Sequence, residues 1–215
     1  MWRCYVGMAE LDNDFINAAI YRIPQSSALK KVKKRRDKQE EHSFFHFFME
    51  ETLTMFTPVS RSAEIESRTR VAETLAAGKA RLKASGVKGV FNAADLLEMK
   101  PTTLPMIHAI AALYSASYII LVDKVAICMV WGEEKPVVLE KKGRDRYVLS
   151  HLTMEYIKAN YVTSSDPGKL VKAISKYTAA ELREIYERTE QPQPETRNKR
   201  GIYDALVAYV SRTVN

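Results

Sequence analysis

The residues best equipped for chemistry in this chain are cations. The stretch KKVKKRRDK, Lys30 to Lys38, holds seven Lys/Arg and one Asp, so nine residues carry +6 of a formal net charge of +7 and the rest of the chain nets only +1. Like charges packed this closely repel one another, which a plain solvated helix face seldom tolerates, so the run is expected to meet an anionic partner. The sequence fits a nucleic-acid patch or a nuclear-import signal. The candidate phosphate contacts are Lys30, Lys31, Lys33, Lys34, Arg35, Arg36 and Lys38.

Other chemistry is weaker. His42 and His46 stand four apart and share a helical face with Glu50, a spacing that can hold zinc. No third and fourth ligand is evident, so ordinary surface or interface histidines are expected and no metal is assigned. Cys128 beside His108 or His151 would suggest a thiol nucleophile. VAICMVW reads as a strand, however, and a thiolate is stabilised at a helix N-terminus or beside a cation, so an inert buried cysteine is expected. The eight glycines form neither a G-x-x-x-x-G-K-[ST] loop nor G-x-G-x-x-G nor G-x-S-x-G. Asp123, Glu133 and Glu134 read as turn residues. The expectation is a protein that is no enzyme and uses no cofactor.

The elements that would carry these residues follow from periodicity and breakers. The 215 residues, 46% apolar and 27% charged, suit one domain with a small appendage. ELDNDFINAAIYRI (Glu10 to Ile23) reads as a short helix ended by Pro24. Ser26 to Phe56 lacks Pro and Gly and reads as one long helix, basic first and aromatic second. Its Phe44, Phe45, Phe47 and Phe48 cover more than one face, which implies burial or an interface. Ser60 to Gly86 reads as a second long helix with Ile65, Val71 and Leu75 inward and charges outward. Pro101 and Pro105 frame an apolar helix, TLPMIHAIAALYSAS. The β-branched runs from about 118 to 150 then predict a small antiparallel meander. NYVTSSDPG, Asn160 to Gly168, is polar and turn-rich. It sets an expected boundary between a domain of residues 1–160 and a module of 161–215, and Asp166-Pro167 offers a cap and a first-turn proline for a helix. The fold class expected is α+β, mostly α. No stretch is apolar for the roughly 20 residues a bilayer span needs. Two cysteines far apart and an opening, MWRCYVG, unlike a signal peptide point to an intracellular protein.

Near the C-terminus, Thr178 and Glu181 make a T-x-x-E capping box. Leu182, Ile185, Tyr186 and Thr189 follow as one stripe, and Ile202, Leu206, Tyr209 and Val210 form another after a non-helical EQPQPETRN, where Pro192 and Pro194 remove donors. This helix–extended loop–helix, from about Lys176 to Arg212, resembles the SAP motif, a small DNA-binding family. Glu181-Leu182 match its E-L pair, and Lys199, Ile202 and Leu206 match its K-x-x-L-x-x-x-L. The loop is Pro-rich and lacks the family's Gly before the Lys and its loop Leu. The resemblance implies that the start of the second helix faces phosphate, with Arg197, Lys199 and Arg200 as contacts. The alternative is a protein-docking module.

The order of elements, with Leu113-Tyr114 and Glu181-Leu182, is also similar to an uncharacterised protein family of nucleocytoplasmic large DNA viruses. That implies a nucleic-acid partner, DNA before RNA, or viral structural proteins, and a place in the viral factory, nucleus or virion. The rival expectation is a virion structural or assembly protein that forms a homo-oligomer through the Phe44–Phe56 helix.

Overall fold

A serine, not the middle of a long helix, opens the aromatic segment. The computed structural model describes residues 40–53, 60–87, 91–194 and 198–214. The helix expected over Glu10–Ile23, the basic run Lys30–Lys38 and Arg197 lie outside them. Within them, the continuous helix expected from Ser26 to Phe56 is interrupted: His42 pairs its backbone with Tyr147, donating at 3.0 Å and accepting at 2.8 Å. Ser43 then caps α1 (Phe44–Phe47) by accepting from the His46 N–H at 3.3 Å. A side-chain acceptor and a strand partner both offer the backbone an alternative to helix there. The chain continues as a π-helical turn, Phe48–Thr52.

The four phenylalanines and Met49 are buried inside the chain. Phe44 meets Tyr118 edge-on at 5.1 Å and Phe48 meets Tyr114 at 5.1 Å. Four of the rings that suggested a subunit contact through Phe44–Phe56 thus belong to the intramolecular core, while Phe56 lies outside the described residues.

Ser60 caps α2 (Arg61–Ala77), accepting from the Ala63 N–H at 3.2 Å. The expected single helix breaks at Gly78, and α3 (Lys79–Ala84) follows. A Cβ at Gly78 would lie 2.7 Å from the Leu113 side chain, so the break sits where the next long helix crosses closely. The inward stripe of α2 is Arg68, Val71, Ala72 and Leu75, whereas Ile65 is 47% exposed. After α4 (Ala94–Leu97), α5 (Leu104–Tyr114) starts on Thr103 with Pro105 in its first turn. Ser115 ends it in the left-handed region, φ 53°.

The sheet is mixed, not an antiparallel meander. Its strands are β1 (Tyr118–Val122), β2 (Val125–Met129), β3 (Val137–Gly143), β4 (Arg146–Ser150) and β5 (Val162–Ser164), in the order β4-β3-β1-β2-β5. β1–β2 and β3–β4 are antiparallel hairpins, but β3 runs parallel to β1 and β5 parallel to β2. After β2 the chain passes beneath the start of β1 and emerges on its other side. Ser117 holds that crossing: its Oγ accepts from the N–H groups of Trp131 and Gly132, both at 3.2 Å, and its carbonyl accepts from Val137 at 2.9 Å. A Cβ at Gly132 would fall 2.3 Å from the Ser115 carbonyl oxygen, so glycine is required there.

Because β1 and β2 are central, both faces are covered and the strands read as continuous apolar runs. Tyr118, Ile120, Val125 and Ile127 face a large core shared with α1, α2 and α5. Ile119, Leu121 and Ala126 face a smaller one closed by Ile157 of α6 (Met154–Asn160). The boundary expected near residue 160 falls inside a single compact unit, Glu41–Asn215. The polar stretch there delivers β5 to the sheet edge rather than acting as a linker. The α+β, mostly α class holds. Among the described residues no helix is long and apolar enough to cross a membrane.

Candidate anion-binding cleft

Where β5 ends, Ser164, Asp166 and the following turn fix the route of the chain. The Asp166 carboxylate accepts from the Gly168 N–H at 2.8 Å and its carbonyl from Lys169 at 3.0 Å. Asp166-Pro167 therefore opens an Asx turn and not the expected helix, because the side chain caps the residue two further on. The segment continues to a single 3-10 turn, Ile174–Lys176. It is pinned twice: the Tyr177 hydroxyl accepts from the Lys172 N–H at 3.1 Å, and the Tyr203 hydroxyl donates to the Lys172 carbonyl at 3.1 Å.

Between this segment, β5 and α6 lies a cleft of about 700 Å³. Its wall is apolar, from Cys128, Met154, Leu170, Ala173 and Tyr177; its rim carries Lys158, Lys169, Lys172 and Lys176. Ile157 is buried against the sheet, which leaves its neighbour Lys158 exposed at the edge. None of the four lysines closes an ion pair among the described residues. The one acidic residue lining the cleft is Asp166, whose carboxylate is engaged by Gly168.

The helix–extended loop–helix lies alongside. Thr178 and Glu181 form the capping box of α7 (Ala179–Glu187). The Thr178 backbone N–H, 2.6 Å from Glu181, and then its hydroxyl hold the Glu181 carboxyl below the usual range, and Lys199 adds to this. The second helix is α8 (Lys199–Val214). Leu182, Tyr186, Thr189, Ile202, Leu206, Tyr209 and Val210 are buried, and Ile185 is half-buried. The two stripes bury more than each other, for they join the large core. The Tyr209 hydroxyl donates to Asp123 at 2.7 Å, Lys124 pairs with Glu190 at 2.5 Å, and the Tyr186 hydroxyl ties the loop at the Pro192 carbonyl, 3.0 Å away.

Of the sequence-derived phosphate contacts, the described residues include Lys199 and Arg200. Asn198 caps α8 by accepting from the Gly201 N–H at 2.8 Å. Arg200 is exposed and pairs with Asp204 at 3.0 Å, an exchangeable surface contact. Lys199 forms no ion pair among the described residues and lies four residues before Tyr203, on the same helical face. The charge of α8 thus sits one turn from the residue that touches Lys172. The sequence reading missed the four cleft lysines. Their signal was composition: from Lys158 to Lys176 there are four Lys and one Asp.

The His42 and His46 rings stack at 4.0 Å, and no group of three metal-ligating side chains forms among the described residues. Burial pushes the Cys128 thiol up, with Lys158 acting against it. Burial lowers His108, whose ring lies 5.4 Å from that of Trp131, while the distant charge of Asp166 opposes the shift. Comparison with protein-family models, curated proteins and solved structures finds no match to this chain.

Proposed function

We propose that this is a non-enzymatic nucleic-acid-binding protein. Its phosphate contacts are the basic run Lys30–Lys38 and a second basic surface formed by Lys158, Lys169, Lys172, Lys176 and Lys199. One observation supports the reading: all five of those lysines lie in the C-terminal third, and none closes an ion pair within 4.0 Å among the described residues, although Glu155 and Glu181 feel the charges of Lys158 and Lys199. Cations near one cleft and one helix start, none of them buried or held in an ion pair among the described residues, are positioned to displace the counterions condensed on a polyanion. The helix–extended loop–helix between Ala179 and Val214 supports it, since that is the arrangement a SAP-like module uses to present a helix start to phosphate. The assembly reading has less support from this segment, because Phe44, Phe45, Phe47 and Phe48 are buried within the chain.

The test is fluorescence anisotropy of labelled duplex and single-stranded DNA at several salt concentrations. Affinity should fall with log salt at a slope of about −0.9 per phosphate contact on duplex, with at least about five contacts. Changing Lys30, Lys31, Lys33, Lys34, Arg35 and Arg36 together to Gln should remove most of the affinity. Adding Lys199→Gln and Arg200→Gln should lower the slope by about two contacts more. Binding that ignores these changes would sink the reading.

A further inference from the structure

The cleft itself has a chemistry that a flat basic surface does not need. A patch that only neutralises backbone phosphates requires cations in solvent. Here four exposed lysines share an open cleft with the apolar side chains of Cys128, Met154, Leu170, Ala173 and Tyr177. The volume, about 700 Å³, lies within the roughly 300–1,000 Å³ over which clefts take small organic ligands. A ligand that matches this lining has an anionic head for the lysines and a weakly polar body for the apolar side chains.

We propose that this cleft holds one unstacked nucleotide, with its phosphate among Lys158, Lys169, Lys172 and Lys176 and its base against the Leu170–Tyr177 wall. Base-to-aromatic contact beside a cationic track is how sequence-tolerant single-strand sites work. In a duplex the bases are stacked and paired and cannot enter, so the cleft selects single strands. The segment is already built for this: Lys172 is fixed through both its N–H and its carbonyl, by Tyr177 and Tyr203. Little backbone ordering remains to oppose binding. The proposal rests on the nucleic-acid reading, and the same chemistry would also accept a free nucleotide.

Labelled oligothymidylate, a blunt duplex of equal length, and AMP as competitor separate these cases on the full chain. Lys169→Gln/Lys172→Gln/Lys176→Gln should weaken oligothymidylate binding by about fivefold per lost contact at 0.1 M salt, given a slope of about −0.7 per single-strand contact. Duplex binding should change much less. Ala173→Glu, at an exposed position on the wall, should weaken the single strand in the same selective way without touching a lysine. Bound oligothymidylate should also protect the rim lysines from acetylation. Equal loss on both DNAs would overturn the cleft and leave a flat electrostatic surface. No loss on either would overturn the cleft while the nucleic-acid reading stands on the basic run. Binding of AMP alone, abolished by the triple variant, would keep the site and reject the nucleic-acid source. Failure of all three probes to bind at low salt would overturn both.

Discussion

Arg68 and the lysines of the cleft show two uses of positive charge in one chain. Arg68 is 3% exposed. Its Nε donates to Glu64 at 2.9 Å, its Nη1 to the Lys100 carbonyl at 3.3 Å, and its guanidinium lies 4.7 Å from the centre of the Phe45 ring. Two of its nitrogens have acceptors, a ring lies against it and the residue is buried, so it belongs to the fold. Lys158, Lys169, Lys172 and Lys176 are exposed and close no ion pair among the described residues, so their charges contribute nothing there that a ligand would have to displace. Two residues on from Arg68, Arg70 pairs with Glu66 at 2.5 Å, with the two side chains 74% and 64% exposed. Burial, more than the presence of a partner, separates a structural charge from an available one.

The largest effect that could break this comparison is at Arg68. Arg68→Ala should lower unfolding free energy by about 2–3 kcal/mol in urea, from lost charged hydrogen bonds and packing. Arg70→Ala should cost less than about 1 kcal/mol. Equal costs would mean that burial does not set the difference.

A smaller effect is alkaline. Burial first, then the hydrogen bond to Asp123, pushes the Tyr209 hydroxyl up to about 12; burial does the same for Tyr118, also to about 12. A group whose folded pKa is raised keeps its proton longer in the native state. Stability from these tyrosines is therefore full below their ordinary pKa of 10.0 and is lost as pH rises from there toward 12. Tyr209→Phe should cost about 1 kcal/mol at neutral pH and flatten the decline above pH 10, read from urea titrations at stepped pH. An unaltered alkaline slope would mean that the Tyr209–Asp123 tie does not hold α8 to the sheet.

The smallest effect sharpens the comparison from the other side. Lys169→Gln/Lys172→Gln/Lys176→Gln should leave stability within about 0.5 kcal/mol per site of wild type. A clear gain on neutralisation would show that the lysines repel one another in the absence of a ligand, and a clear loss that they are structural.

The C-terminal helices were legible because their signals are local. A capping box spans four residues, and Leu182, Tyr186, Ile202 and Leu206 follow helical spacing without reference to the rest of the chain. The break in the helix expected from Ser26 to Phe56 was not legible, because His42 is drawn away by Tyr147, about a hundred residues on. Strand identity was legible in the β-branched runs, but strand order was not. A hairpin and a crossing beneath β1 look alike in WGEEKP until Ser117 and Gly132 are seen to guide the chain. The cleft was read only as a turn-rich boundary, since Lys158 and Lys176 come to line one cleft only after β5 joins β2.

The sequence by itself determined the class of the protein, the two C-terminal helices and the concentration of charge at Lys30–Lys38, because propensity, capping and charge act between residues near in the chain. The tertiary structure decided which apolar residues are core, which arginine is buried, how the strands are ordered and where four lysines converge. Those depend on contacts between distant residues, whose free energy exists only once the chain has closed on itself.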